Sequence, residues 1–148
     1  MAERVVAASD HAGLVLRPEA IRAARARGFE VEDLGPLGAE SVDYPDYARK
    51  VAQAVAGGQA RFGILVCGTG IGMSIAANKV PGIRAALCRT EYEARMARAH
   101  NDANVLCLGE RVTGLGLAAA VVEAFLVTPF EGGRHARRVE KLEGLDHR

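Results

Sequence analysis

Five short apolar runs recur along the chain: RVVAAS (4–9), FEVEDLG (29–35), FGILVCG (62–68), IRAALC (83–88) and NVLCLG (104–109). Between them lie segments whose apolar residues fall at helical spacing, 14–27, 46–57, 73–79, 91–100 and 115–127. Strands of this length that are apolar almost throughout, alternating with helices, predict βαβ units and a five-stranded parallel sheet covered on both faces. The expected fold is therefore α/β, a Rossmann-like three-layer α/β/α sandwich. Gly28 and the pair Gly57-Gly58 fall where helices should end, and Pro18 either lies in the first turn of the first helix or kinks it there. Residues 129–148 read as a polar tail carrying one short helix, within a single domain that spans 1–148.

Composition refines this picture only a little. Aromatic residues make up 5% of the chain and Trp is absent, so the core must be built from Ala, Val, Leu and Ile. Nineteen basic residues face 18 acidic ones, a balance that gives no reason to expect nucleic acid or an anionic membrane as partner. No run approaches the length of a membrane span, and MAERVVAASDHAG reaches an Asp and a His too early for a secretory signal, so a cytoplasmic protein is expected. The three cysteines show neither redox nor zinc-ligand spacing. Cys88 and Cys107 sit inside apolar runs and read as core residues, whereas Cys67 stands where a strand meets a glycine loop.

In an open parallel sheet, ligands bind beyond the carboxyl ends of the strands. That edge collects Ser9-Asp10-His11, Cys67-Gly68-Thr69-Gly70 and Gly109-Glu110-Arg111. The loop CGTGIGMSIAANK has neither the dinucleotide-binding glycine pattern nor the Gly-Lys-Ser/Thr of a P-loop. What remains is a set of closely spaced amides entering a helix, which is either an anion cradle or merely a tight turn. A thiol at the rim of such a cradle is stabilised as thiolate and can act as a base beside an oxyanion site; the alternative is an inert core cysteine. Arg134 and Arg138, spaced i, i+4 with His135 between them, can grip a phosphate, or can form a solvated basic face balanced by Glu140 and Glu143. His100 ends a helix that runs away from the reactive edge by about 15 Å. It is either a helix C-cap or, if catalytic, a group that enters a neighbouring subunit's site.

The blocks SDHAG, DYPDYA, CGTGIGMSIAANK, GIRAAL, HNDANVLCLGER and FEGGRHARRVE span residues 9–140, and in them the chain resembles the type B ribose-5-phosphate isomerases. That family is shared with the galactose-6-phosphate and allose-6-phosphate isomerases. The resemblance implies interconversion of D-ribose 5-phosphate and D-ribulose 5-phosphate, a step of the pentose phosphate pathway, by ring opening and a cis-enediolate. It implies neither metal nor organic cofactor, and a homodimer or dimer of dimers with the site at the subunit interface. Cys67 matches the family's base, and Thr69 with the amides of Gly68, Gly70 and Gly72 matches the cradle for the enediolate oxygen. Asp10 and His100 match the ring-opening pair. His11, Arg111, Arg134 and Arg138 match the phosphate grip, and Asn101 matches a contact to a sugar hydroxyl. One branch of the family carries a glutamate base at the position of Met73, which here is apolar. Ser9 matches no role.

Two other readings compete with the pentose phosphate isomerase. One keeps the family and changes the sugar to allose 6-phosphate or galactose 6-phosphate. The other is a non-catalytic phosphate- or nucleotide-binding module on the same sandwich, against which the absent fingerprints weigh.

Overall fold

The computed structural model describes residues 2–147 and contains a five-stranded parallel sheet. Its strands are β1 (Arg4–Ser9), β2 (Glu30–Asp33), β3 (Phe62–Cys67), β4 (Ala85–Leu87) and β5 (Val105–Gly109), in the spatial order β2-β1-β3-β5-β4. The helices are α1 (Leu16–Ala26), α2 (Tyr44–Ala56), α3 (Ile71–Ala77), α4 (Glu91–Asn101), α5 (Leu115–Val127) and α6 (Arg134–Gly144). All five predicted strands form. The edge strands β2 and β4 are shorter than their apolar runs, because an edge has a neighbour on one side only and the ends of those runs find no ladder to join.

Alternation along each strand sorts the core into two layers. Val5, Ala7, Ile64, Val66, Leu106 and Leu108 face α1, α4 and α5, while Val6, Ala8, Leu65, Cys67, Val105 and Cys107 face α2 and α3. Every residue of β3 is buried, as expected of a central parallel strand. The three-layer sandwich follows from this sorting. Three phenylalanines gather on one face: Phe62 meets Phe125 edge-on at 5.5 Å and Phe29 at 6.2 Å. The guanidinium of Arg98 lies 4.8 Å from the Phe62 ring centre, and its Nη1 donates to Asp102 Oδ1 (2.8 Å) and to the Ala103 carbonyl (2.6 Å). A buried charge is retained here because it is both paired and hydrogen-bonded.

Helix ends follow local chemistry. Pro18 is the third residue of α1, within the first turn where a missing N–H is harmless. Helix α2 begins two residues before the apolar spacing predicts, since Pro45 sits at its N-terminus with preset φ. Helix α3 likewise starts at Ile71, directly after left-handed Gly70. Helix α4 is capped at its C-terminus by Asp102 in the left-handed conformation, so His100 lies in its last turn and is not the cap. The tail helix α6 is 11 residues long and packs against α4. No helix is long and apolar enough to cross a membrane among the described residues.

Candidate active site

Strand β1 has β2 on one side and β3 on the other, so the chain leaves β1 in one direction and returns on the opposite side. That reversal is a topological switch point, and it opens a crevice between the carboxyl ends of β1 and β3. A cleft of about 860 Å³ lies there, lined by Asp10, His11, Cys67, Gly68, Thr69, Gly72 and Arg111 among others.

Each wall has a local cause. After β1, Asp10 Oδ1 accepts the Ala12 N–H at 2.9 Å and starts a single 3₁₀ turn, His11–Gly13. His11 Nδ1 accepts the Val42 N–H at 3.2 Å, so a neutral imidazole carries its proton on Nε2. After β3, the Gly70 N–H points back to Cys67 Sγ at 3.1 Å. Cys67 is 5% exposed, borders the cleft and receives an amide donor at its sulfur. Thr69 Oγ1 accepts the Ile71 N–H at 3.2 Å, which leaves its own hydroxyl proton to donate. Gly109, at the end of β5, allows the loop its position: a Cβ there would lie 2.6 Å from the Thr69 backbone. The Arg111 guanidinium lies over Gly68, within 3.4 Å of where a Cβ on that glycine would stand.

Cys88 and Cys107 occupy different environments. Burial pushes the Cys88 thiol up to about 12, with the Glu93 carboxylate adding to the effect. Burial, helped by Cys67 and Cys88, pushes Cys107 up as well. Both remain thiols in the core, as their apolar surroundings in the sequence predict.

The sequence reading overlooked part of the wall. Val42, Asp43, Tyr44 and Asp46 line the cleft from the start of α2, and Ile71 and Ile75 from α3. A Cβ on Gly72 would fall 2.2 Å from the Tyr44 ring, so this glycine also makes room for the tyrosine. The signal lies in DYPDYA, to whose residues the sequence alone assigns no role. Ser9, given no role, accepts from buried Arg17 Nη1 at 2.6 Å beneath the site. Glu110, next to Arg111, accepts the N–H groups of Val15 (2.8 Å) and Leu16 (2.7 Å) and so anchors the start of α1.

Four of the expected residues lie elsewhere. His100, Asn101, Arg134 and Arg138 are absent from the cleft lining. Gly70 is buried behind the loop, with its N–H engaged by Cys67. His100 and His135 stack with ring centres 4.1 Å apart and planes 10° from parallel. Their Nε2 atoms lie 3.7 Å and 3.6 Å from Glu131 Oε1. Burial lowers the His135 pKa, and the positive neighbours His100 and Arg134 lower it further against the pull of Glu131. Asn101 lies in a separate hollow of about 440 Å³ with Arg84 and Leu142. The cleft itself carries three carboxylates, Asp10, Asp43 and Asp46, against one guanidinium and one imidazole.

The profile of the Ribose/Galactose Isomerase family matches residues 5–142. Ribose-5-phosphate isomerase B of Escherichia coli is 49% identical over 146 residues, covering 99% of this chain and 98% of that protein. The structure of a type B ribose 5-phosphate isomerase from Trypanosoma brucei superposes with a TM-score of 0.96 at 53% identity, covering 98% of this chain and 99% of that one. A structure of ribose-5-phosphate isomerase B from Mycoplasma genitalium with bound ribulose-5-phosphate gives 0.93 at 42% identity, covering 97% and 96%. The chain belongs to the ribose/galactose isomerase family.

Proposed function

We propose that this family member interconverts D-ribose 5-phosphate and D-ribulose 5-phosphate with Cys67 as the base. The observation that carries the reading is the Cys67 thiol, held 3.1 Å from the Gly70 amide at the switch point of the sheet and open to the cleft. In the open aldehyde, the thiolate takes the proton from C2 as the C2–H electrons form the C1=C2 bond and the carbonyl oxygen becomes an enediolate. Thr69 and the amides of Gly68 and Gly72 stabilise that oxygen. The proton on O2 passes to O1, and the thiol returns its proton to C1, giving the ketose. The Gly70 N–H faces Sγ, so its part is to support the thiolate. The Gly72 amide belongs to the first turn of α3, where helix N–H groups lack intrahelical partners.

Ring opening and phosphate binding need further groups. A dianionic phosphate in a cleft with three carboxylates and one guanidinium lacks countercharge. Arg134 and Arg138 of a second copy supply it in this reading, together with His100 opposite Asp10 for ring opening and Asn101 for a sugar hydroxyl. The enzyme is accordingly a homodimer, or a dimer of dimers, with two-chain sites.

The test uses two inactive variants. Cys67→Ala should lower kcat by about 10²–10⁴ with KM changed only a few-fold. Mixing Cys67→Ala with His100→Asn under exchange conditions should restore activity to roughly a quarter of wild type, since half the dimers are mixed and each mixed dimer regains one intact site. Wild-type turnover in Cys67→Ala overturns the base. Absence of complementation places all catalytic groups in one chain.

A further inference from the structure

The stacked histidines and the glutamate beside them lie outside the cleft, and the proposed mechanism uses only one of the three. His100, Glu131 and His135 bring three potential ligand atoms within 4.8 Å of one another. A metal ion sits in the plane of each imidazole that binds it, and two rings stacked 10° from parallel at 4.1 Å have no nearby point common to both planes. The arrangement suits a different task, which is to fix the direction of one ring.

We propose that His135 and Glu131 are positioning residues for His100, holding its ring against a buried second imidazole and beside a carboxylate so that it can serve the ring-opening step. This rests on the isomerase reading above, in which His100 acts in a second copy's site.

Three features support the assignment. First, the His135 side chain is 9% exposed while that of His100 is 37% exposed, so one ring is the fixed platform and the other the presented face. Second, the platform is tied to α4 through the backbone, because the Glu131 N–H donates to the Ala99 carbonyl at 3.0 Å, directly before His100. The His135 N–H in turn donates to the Gly132 carbonyl at 3.0 Å. Third, the stacked His100 ring, 4.1 Å away, is among the groups that disfavour a proton on His135. The charged groups around His135 are His100 from α4, Arg134 and Arg138 from its own helix, and Glu131 from the preceding loop. Burial and the three neighbours lower the His135 pKa against the pull of Glu131, whose Oε1 lies near both Nε2 atoms. The exposed ring is the one placed to give a proton to the ring oxygen of a sugar as the anomeric hydroxyl loses its own.

The substrate's chemistry allows ring opening to be measured apart from proton transfer. Ribulose 5-phosphate has its C5 oxygen esterified, so its ketone cannot close a five-membered ring and it enters the site open. Exchange of its C1 hydrogen with solvent deuterium, followed by NMR, reads Cys67 chemistry alone, whereas turnover of ribose 5-phosphate also requires ring opening. His135→Ala should lower ribose 5-phosphate turnover by about 10–100-fold and leave C1 exchange within about twofold. His135→Phe, which keeps a stacking surface, should recover most of the loss, and Glu131→Gln should reduce ring-dependent turnover by about threefold to tenfold. Equal loss of both rates in His135→Ala and Glu131→Gln would assign the residues to general structure and overturn the proposal, as would wild-type values in both. Wild-type protein that neither turns over ribose 5-phosphate nor exchanges C1 of ribulose 5-phosphate would instead refute the isomerase reading beneath it.

Discussion

Replacing Gly70 with Ala measures what the loop after β3 demands of its glycine. Gly70 has a φ of +80°, and a Cβ there would lie 2.5 Å from Leu87 Cδ1 and 3.0 Å from the Leu108 carbonyl carbon. The left-handed conformation costs a residue with a Cβ about 1–2 kcal/mol. Forcing a methyl group into packed surroundings adds about 1–3 kcal/mol. The sum is roughly 2–5 kcal/mol, which at 2–4 °C per kcal/mol lowers Tm by roughly 4–20 °C. Gly82→Ala is the control: its φ is +87°, yet nothing lies within 4 Å of the Cβ position. It should show the conformational part alone, a Tm loss of roughly 2–8 °C. Thermal unfolding of both variants, followed by circular dichroism, gives the packing contribution as the difference. The Gly70 variant should also lose turnover, because relief of the clash moves the N–H away from Cys67 Sγ, while the Gly82 variant keeps it. Equal Tm losses, or an active Gly70→Ala enzyme, would refute the argument that close approach to β4 and β5 sets the thiol's donor.

Two further predictions concern the cysteines and the start of α1. At pH 8, iodoacetamide should label Cys67 alone and abolish turnover, because a Cys88 thiol pushed up to about 12 is ionised in only about one molecule in ten thousand; peptide mass spectrometry showing labelled Cys88 in the folded protein would contradict its assignment to the core. Glu110→Ala removes the acceptor of two N–H groups at the start of α1 and should cost about 1–2 kcal/mol, lowering Tm by roughly 2–8 °C; an unchanged Tm would show that water replaces the carboxylate without loss.

The central strands were legible in the sequence because a parallel strand covered on both faces must be apolar almost throughout, and FGILVC has no other comfortable place. The switch-point crevice was legible for a related reason, since polar residues at the ends of such runs can only lie on the sheet's edge. What could not be read were contacts between segments far apart in the chain. Glu110 reaches amides 94 and 95 residues away, and nothing in GER announces a helix anchor. The wall formed by Asp43 and Tyr44 depends on where α2 begins, which Pro45 moves forward from the apolar spacing. His100 and His135 are each unremarkable in sequence, and only the docking of α6 on α4 makes them a stacked pair.

Topology also explains why the proposed chemistry is divided between two chains. Helix α4 leaves the carboxyl end of β4 and its 11 residues, at 1.5 Å each, carry His100 and Asn101 roughly 16 Å toward the opposite edge. Strand β5 then returns the chain to the reactive edge, so Asn101 and Arg111 are near neighbours in sequence and lie at opposite ends of the sheet. The tail helix packs on α4 and leaves Arg134 and Arg138 on the His100 side. A single chain thus holds the thiol, its amide donor and the glycine loop, the parts proposed to move a proton between carbons. The groups proposed to open the ring and neutralise the phosphate stand on the other side of the fold. In the two-chain reading, subunit pairing supplies no new chemistry to proton transfer itself; it delivers an open sugar, held by its phosphate, to a base that each chain already contains.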